Sequence, residues 1–479
     1  MTSNQTRYRG HTLFAMLYCE SKFRHENHMR SDKNKRPGRH DPRGDRGGPH
    51  KRQGSLPQAR RFAPPAHATP APATPPPETP AADHLAASVD IPAGTPRITL
   101  RSASYGAFIY QKMIGHVDSQ ARDGDVVAVV DKRGQFFGWG FFNSRSQIGL
   151  RMISHGGPKP DEAFFAARIA QAVQLRREVL RLDETTDAYR LIHAEGDNLS
   201  GLIVDRFGQY VAIELFSLAM YRRIEMIKDA IVDAGVSVKD FVVRADKLVA
   251  EQEGFRATGL PGQAKDAATI ITENGVKFHV DLSRGHKTGF FCDQRDNRLA
   301  LTTLTPGKRV LDVCCYSGGF SCYAAAKGNA AAVTAVDLDE KAIEMARRNA
   351  ALNAVHVEFR HADAFDFLRE VAAAGQKWDV VIVDPSKFVA RRDQIDIGLR
   401  KYADLNRLAA GVVRSGGILL TCSCSGLVDV PTFTQTVSRA LRTAGRPMQM
   451  FRISSAGADH PVMGDTPEAS YLKAIWARL

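Results

Sequence analysis

The chain has 479 residues, enough for two or three domains that each bury a core of their own. Its formal charge of +13 favours a polyanionic partner, and 15 basic against 8 acidic residues concentrate +7 of it in residues 1–95. No run approaches the roughly 18 apolar residues of a membrane span; the 7 cysteines, odd in number and mostly within apolar runs, argue against a disulfide framework and for a reducing, cytoplasmic setting.

Residues 1–95 read as a disordered arm: a polar, basic stretch over 20–62 passes into PPAHATPAPATPPPETPAA (64–82), with too few large apolar groups to offset ordering entropy. Its histidines (His11, His25, His28, His40, His50) lack ligand spacing, so no metal is expected there. From Arg97 short apolar runs alternate with turns (ITLRS, GAFIY, DVVAVVD, FFGWGFFN, QIGLRMIS), which predicts a small β-barrel or sandwich over 96–170. The section 171–282 reads as mixed α+β. A helix over Phe164–Leu182 leads into it, strands follow in LIVDRFGQYVAIELF, and a helix near Tyr221–Ala234 precedes strands in FVVRAD and VKFHVDLS. After Lys308 strands and helices alternate regularly, which predicts an α/β, doubly wound, mainly parallel sheet within 283–479.

Ligands bind such sheets beyond the carboxyl ends of the strands, and the unusual residues gather there. The first strand ends in Asp312-Val-Cys-Cys-Tyr-Ser-Gly318-Gly319-Phe320, where paired glycines let backbone approach a ligand at the helix start. The second ends in Asp337-Leu-Asp339, 19 residues after Gly318 and placed for two ribose hydroxyls. The third ends in Asp363-Ala-Phe, where an acid can accept from an adenine amino group. No G-x-G-x-x-G and no P-loop lysine accompany them, so this order of features fits S-adenosyl-L-methionine better than a nicotinamide cofactor. Taken singly, each acid is equally an ordinary helix N-cap.

The fourth strand ends in Asp384-Pro385-Ser386-Lys387-Phe388, a carboxylate on a rigid turn that can face a flat polar substrate. The fifth ends in Thr421-Cys422-Ser423-Cys424-Ser425. Each cysteine reads as a small core residue, or, where the chain leaves the ladder, as a nucleophilic thiolate. His193 and Glu195 fall in the middle section and read as packing or RNA contacts; Arg284 and Lys287 read as phosphate contacts or solvated charges.

With these residues in view, the sequence resembles the RlmI-type large-subunit rRNA methyltransferases that make 5-methylcytosine, across almost everything after residue 97. The resemblance lies in RLIHAEGDNLSGLIVDRFG (190–208), GHKTGFFCDQRDNR (285–298), DVCCYSGGF, DPSKF, TCSCSG and GADHPV (457–462). It implies a PUA-like RNA-binding barrel, a middle domain and a Rossmann-like methyltransferase domain that takes S-adenosyl-L-methionine. It implies that Gln294 and Arg295 close over the cofactor, that Asp312 and Gly318 form its glycine turn, that Asp337 holds the ribose and that Asp363 reads adenine. Cys424 is then the nucleophile, Cys422 is structural, Asp384 is the second catalytic group, and Pro385, Lys387 and Phe388 meet the target base. Ser386 departs from the family, which usually has a second proline there.

The implied partner is rRNA in a single-stranded or loop region, because the target base must leave its stack to reach the pocket. A homodimer is compatible with the resemblance, and no pattern in the chain encodes it. Two rivals share these residues: a sister guanine methyltransferase, which needs no Cys424 thiol, and a non-catalytic RNA-binding ribosome-assembly factor, which only Ser386 supports.

Overall fold

A computed structural model of the chain describes residues 89–256, 267–283 and 290–479. The arm up to residue 88, with its histidines, and the charges Arg284 and Lys287 lie outside the described residues. Among the described residues no helix is long and apolar enough to cross a membrane.

The first runs form six strands: β1 (Arg97–Leu100), β2 (Phe108–Tyr110), β3 (Ile114–Val117), β4 (Val126–Val130), β5 (Phe136–Phe142) and β6 (Ile148–Ser154). They pair in the order β2-β6-β5-β4-β1-β3, with β1 parallel to β4 and the other pairs antiparallel. β4 is apolar and buried along its whole length, and Trp139 of β5 lies in the interior with its Nε1 donating to Gly157 O at 3.0 Å.

Helix α1 (Glu162–Gln174) starts on an Asp161 cap and runs into a π-turn over Leu175–Val179, within which Arg176 is fully buried. Strands β7 (Ala188–His193), β8 (Leu202–Phe207), β9 (Tyr210–Leu215) and β10 (Asp240–Arg244) form the second sheet, ordered β10-β9-β8-β7. The single helix expected near Tyr221–Ala234 is two, α2 (Leu218–Arg222) and α3 (Ile224–Asp233), because Ser217 caps the first and the chain breaks at Arg223. A further helix, α4 (Lys247–Glu253), follows β10. The hairpin β11 (Ala268–Glu273) and β12 (Val276–Asp281) turns at Asn274-Gly275, both at positive φ as a tight two-residue hairpin requires.

The remainder is the expected doubly wound sheet. After α5 (Arg295–Leu301) come β13 (Arg309–Val313), α6 (Gly319–Ala326), β14 (Ala332–Asp337), α7 (Glu340–Leu352), β15 (Glu358–His361) and α8 (Ala364–Ala373). They are followed by β16 (Trp378–Val383), α9 (Ile395–Val412), β17 (Val413–Ser423), α10 (Val430–Thr443), β18 (Gln449–Ser454) and β19 (Lys473–Arg478). The order is β15-β14-β13-β16-β17-β19-β18, parallel through β17, with β19 antiparallel to both its neighbours. The winding reverses between β13 and β16, which opens a crevice beyond their carboxyl ends.

A buried polar hub ties this sheet to the middle section. Asp459, in the loop between β18 and β19, is fully buried and accepts from Arg295 Nη2 at 2.9 Å and Nη1 at 3.0 Å. It also accepts from Arg190 N at 2.8 Å and meets His460 Nδ1 at 3.1 Å, while its carbonyl accepts from Arg176 Nη2 at 2.7 Å. Burial pushes the Asp459 carboxyl up, but His460 and Arg295 together outweigh it and hold it well below the usual carboxylate range.

Removing one partner of a buried pair leaves an uncompensated charge, so Asp459→Ala is expected to cost about 3–5 kcal/mol; urea unfolding followed by tryptophan fluorescence checks it. His193 lies against His460, with tilted rings whose centroids are 4.9 Å apart, and burial first, then His460, Arg190 and Arg176, push its pKa well below 6.5. The folded state therefore refuses a proton that the unfolded chain accepts, and stability is expected to fall as pH drops below about 6.5. Unfolding midpoints from pH 7.5 to 5.5 measure that slope, which His193→Asn should flatten.

Candidate active site

β13 ends at Val313, and the chain then turns with Cys314 (φ +64), Tyr316 (φ +49) and Gly318 (φ +77) all in the left-handed region before α6 begins. Such a turn persists only where its surroundings hold it. Asp337 supplies that hold, accepting from Tyr316 N at 2.8 Å and from Asp339 N at 2.9 Å. A Cβ at Gly318 would lie 3.1 Å from Ala346 Cβ, so glycine answers both the positive φ and the close helix packing. Beneath the turn, Asp312 is fully buried; its Oδ2 accepts from Ser321 N at 3.0 Å and Ser321 Oγ at 2.5 Å, while its Oδ1 has no hydrogen-bond partner among the described residues. Burial pushes the Asp312 carboxyl up to about 7 against the Ser321 hydrogen bonds, with Asp384 and Asp337 adding to the rise. Asp363 caps α8 through Phe365 N (2.8 Å) and Asp366 N (3.2 Å), as Asp339 caps α7.

The crevice brings together Gln294, Asp384 and Cys424, flanked by Tyr316 and Phe320 of the glycine turn. Asp384 follows β16 directly, and Ser386 in place of the second proline leaves it lining the crevice. Its orientation is set by a relay. Gln294 Nε2 donates to Asp384 Oδ2 (3.1 Å), Asn297 Nδ2 to Gln294 Oε1 (2.7 Å), Ser454 Oγ to Asn297 Oδ1 (2.6 Å), and Trp476 Nε1 to Ser454 Oγ (2.8 Å).

Cys424 lies one residue past β17 and packs on Leu472. The serines around it are clamped by Tyr402 of α9, which accepts from Ser423 Oγ at 3.0 Å and shares a 2.9 Å hydrogen bond with Ser425 Oγ. Lys473 Nζ donates to Ser425 O at 2.6 Å and to Tyr471 O at 2.9 Å. Cys422 stays inside β17, fully buried, where burial and then Asp384 push its thiol well up.

Other residues expected at the site are not part of the crevice lining. Arg295 is committed to Asp459, and neither it nor Gly318, Asp337 or Asp363 lines the crevice. Pro385 and Lys387 are buried, and Phe388 packs on Tyr402 with ring centroids 4.8 Å apart; none of the three lines it. Arg298, unremarked in the sequence, does line it, held by Glu273 through two 2.8 Å hydrogen bonds.

A family model described as S-adenosylmethionine-dependent methyltransferase matches residues 199–474, and one for a PUA-like domain matches 107–155. The chain belongs to the S-adenosylmethionine-dependent methyltransferase family. This methyltransferase is 36% identical to ribosomal RNA large subunit methyltransferase I of Klebsiella pneumoniae (strain 342), over 78% of this chain and 94% of that protein. It is 37% identical to the Aeromonas salmonicida (strain A449) protein of the same name, again over 78% and 94%. The Escherichia coli (strain K12) one is 36% identical over 78% and 95%. In fold it is similar to a methyltransferase structure from Streptococcus mutans, with a TM-score of 0.67 at 20% identity, covering 80% of this chain and 100% of that one.

The residues of the glycine turn fit the family's cofactor. The unpartnered Oδ1 of Asp312, buried at the foot of the turn, suits the amino group of an amino-acid moiety, and Gly318 keeps the backbone open above it. A cationic amine selects the ionised carboxylate, so affinity for S-adenosylhomocysteine is expected to rise as pH passes about 7. Asp312→Asn is expected to lower that affinity about 10- to 100-fold, as loss of a charge-assisted hydrogen bond does, and to remove the pH slope; calorimetric titration between pH 6 and 8 checks both.

Proposed function

We propose that this methyltransferase modifies carbon 5 of a cytosine in large-subunit ribosomal RNA, with Cys424 as covalent nucleophile and Asp384 orienting the ring. The name shared by its relatives supports the rRNA substrate, and so does the PUA-like match, here taken as the RNA-binding barrel of residues 96–170. The cytoplasmic setting expected from the cysteines belongs to the same reading. The observation that carries the cytosine assignment is that a thiol, Cys424, and a braced carboxylate, Asp384, line one crevice beside the cofactor turn. Methylation of a guanine nitrogen calls for no such thiol.

Carbon 5 of cytosine is a weak nucleophile. Attack of the Cys424 thiolate on carbon 6 converts the ring to an enamine, and carbon 5 becomes nucleophilic. Asp384, fixed by Gln294, hydrogen-bonds the ring edge and supports protonation of the ring nitrogen during addition. When bound, S-adenosyl-L-methionine supplies an electrophilic methyl group. Loss of the carbon 5 proton then restores the aromatic ring and expels the thiolate. Tyr402 and Lys473 hold the Cys424 loop in place throughout, so the nucleophile pays little orientational entropy.

Wild type and Cys424→Ala incubated with labelled S-adenosyl-L-methionine and unmodified rRNA test the assignment. Nucleoside analysis is expected to give 5-methylcytosine from wild type and a loss of at least about 1000-fold from the variant, with S-adenosylhomocysteine binding retained. An active variant, or a methylated guanine, would overturn it.

A further inference from the structure

The covalent route leaves one role unfilled: a group must take the carbon 5 proton before the thiolate can leave. Resting on the reading above, we infer that Asp293 is that group and that Tyr471 positions it. Asp293 lines the same crevice as Cys424 and Asp384. It sits in the 3-10 turn Cys292–Gln294, next to the glutamine that braces Asp384, so one short turn serves both acids. Its backbone carbonyl accepts from Gly457 N at 2.9 Å, and its Oδ2 accepts from Tyr471 Oη at 2.6 Å. Tyr471 and Ala456 in turn pack against the small apolar cluster made by Cys424 and Leu472. The carboxylate is thereby tied through Tyr471 to the wall that carries the thiol.

Three other ionisable groups that line the crevice are engaged or unsuited. Arg298 is a cation held by Glu273, burial pushes the Cys315 thiol well up, and Asp384, braced by Gln294, is already assigned to the ring edge in the reading above. Among the described residues that line the crevice, Asp293 is the other carboxylate.

The step balances. The carbon 5 proton moves to the Asp293 carboxylate and its bonding pair becomes the double bond between carbons 5 and 6. The bond from carbon 6 to sulfur breaks, the thiolate of Cys424 is restored, and Asp293 returns its proton to solvent. A residue that merely pinned Tyr471 would lower activity without trapping anything. A base that acts last has a different signature, because its loss leaves methylated RNA bound to the enzyme.

The full-length variants Asp293→Asn, Tyr471→Phe and Cys424→Ala, given rRNA tritiated at cytosine carbon 5 and methyl-labelled S-adenosyl-L-methionine, provide the test. Asp293→Asn is expected to bind S-adenosylhomocysteine like wild type and transfer one methyl group per enzyme. It should accumulate a denaturant-resistant protein–RNA adduct and release tritium about 100- to 10,000-fold more slowly. Tyr471→Phe, which misplaces the base but keeps it, is expected to slow release about 10-fold with partial trapping. Tritium release at the wild-type rate from Asp293→Asn, or loss of methyl transfer without adduct while the cofactor product still binds, overturns the inference. If Asp293→Asn fails to bind S-adenosylhomocysteine, Tyr471→Phe decides: slowed release with adduct supports the inference and unaltered release overturns it. Activity in Cys424→Ala would instead overturn the covalent reading itself, whatever the Asp293 variant does.

Discussion

The bidentate pair between Arg295 and Asp459 joins segments 164 positions apart in sequence, and the geometry of the crevice depends on it. Arg295 opens α5, directly after the two residues that face the crevice, Asp293 and Gln294. Anchoring its guanidinium fixes the phase of that helix, and so fixes which way its neighbours point. Asp459 in turn draws in the Arg190 backbone and the Arg176 side chain, so the middle section and the methyltransferase sheet share one buried ionic cluster. Such a cluster contributes little net stability compared with apolar packing, but a wrong register would strand several charges at once.

Around that anchor the segment 294–298 uses each polar side chain for a different target. Gln294 reaches Asp384, Arg295 reaches Asp459, Asp296 accepts from Ala458 N, Asn297 links Gln294 to Ser454, and Arg298 reaches Glu273. Five consecutive residues therefore brace the end of β16, the end of β18 with the loop after it, and the β11 strand around one crevice. The serines beside Cys424 follow the same logic, since Tyr402 and Lys473 hold the loop on either side. Reactive groups thus sit on supports that are themselves fully hydrogen-bonded, which is what orientation to within a few tenths of an ångström demands.

The alternation of strands and helices was legible because buried parallel strands carry long apolar runs such as VVIV (380–383) and several of the helices, α7, α8 and α10, open on aspartate caps. α4 went unread although Asp246 and Gly254 (φ +86) bracket it, since a seven-residue helix shows barely two turns of periodicity. Asp384 and Cys424 were legible as polar groups at strand ends, where the topology converges them. The target of Arg295 was not, because an ion pair spanning 164 positions leaves no local trace. Tyr402 gave no signal either, whereas Lys473, a lysine inside the apolar run YLKAIWARL, was a readable anomaly. Lys387, which the resemblance implied would meet the target base, is fully buried in this structure, an uncommon place for a lysine.

The position of β19 imposes an order on assembly. It lies between β17 and β18 but follows both in sequence, so β17 has an open edge until β19 inserts. A chain growing from its amino end therefore displays Cys424 before the lysine that clamps its loop has been made. During that interval the thiol sits on an unsupported segment beside an exposed strand edge, the kind of edge that recruits other strands. Until β19 inserts, the open edge of β17 is the part of the growing sheet most able to pair wrongly.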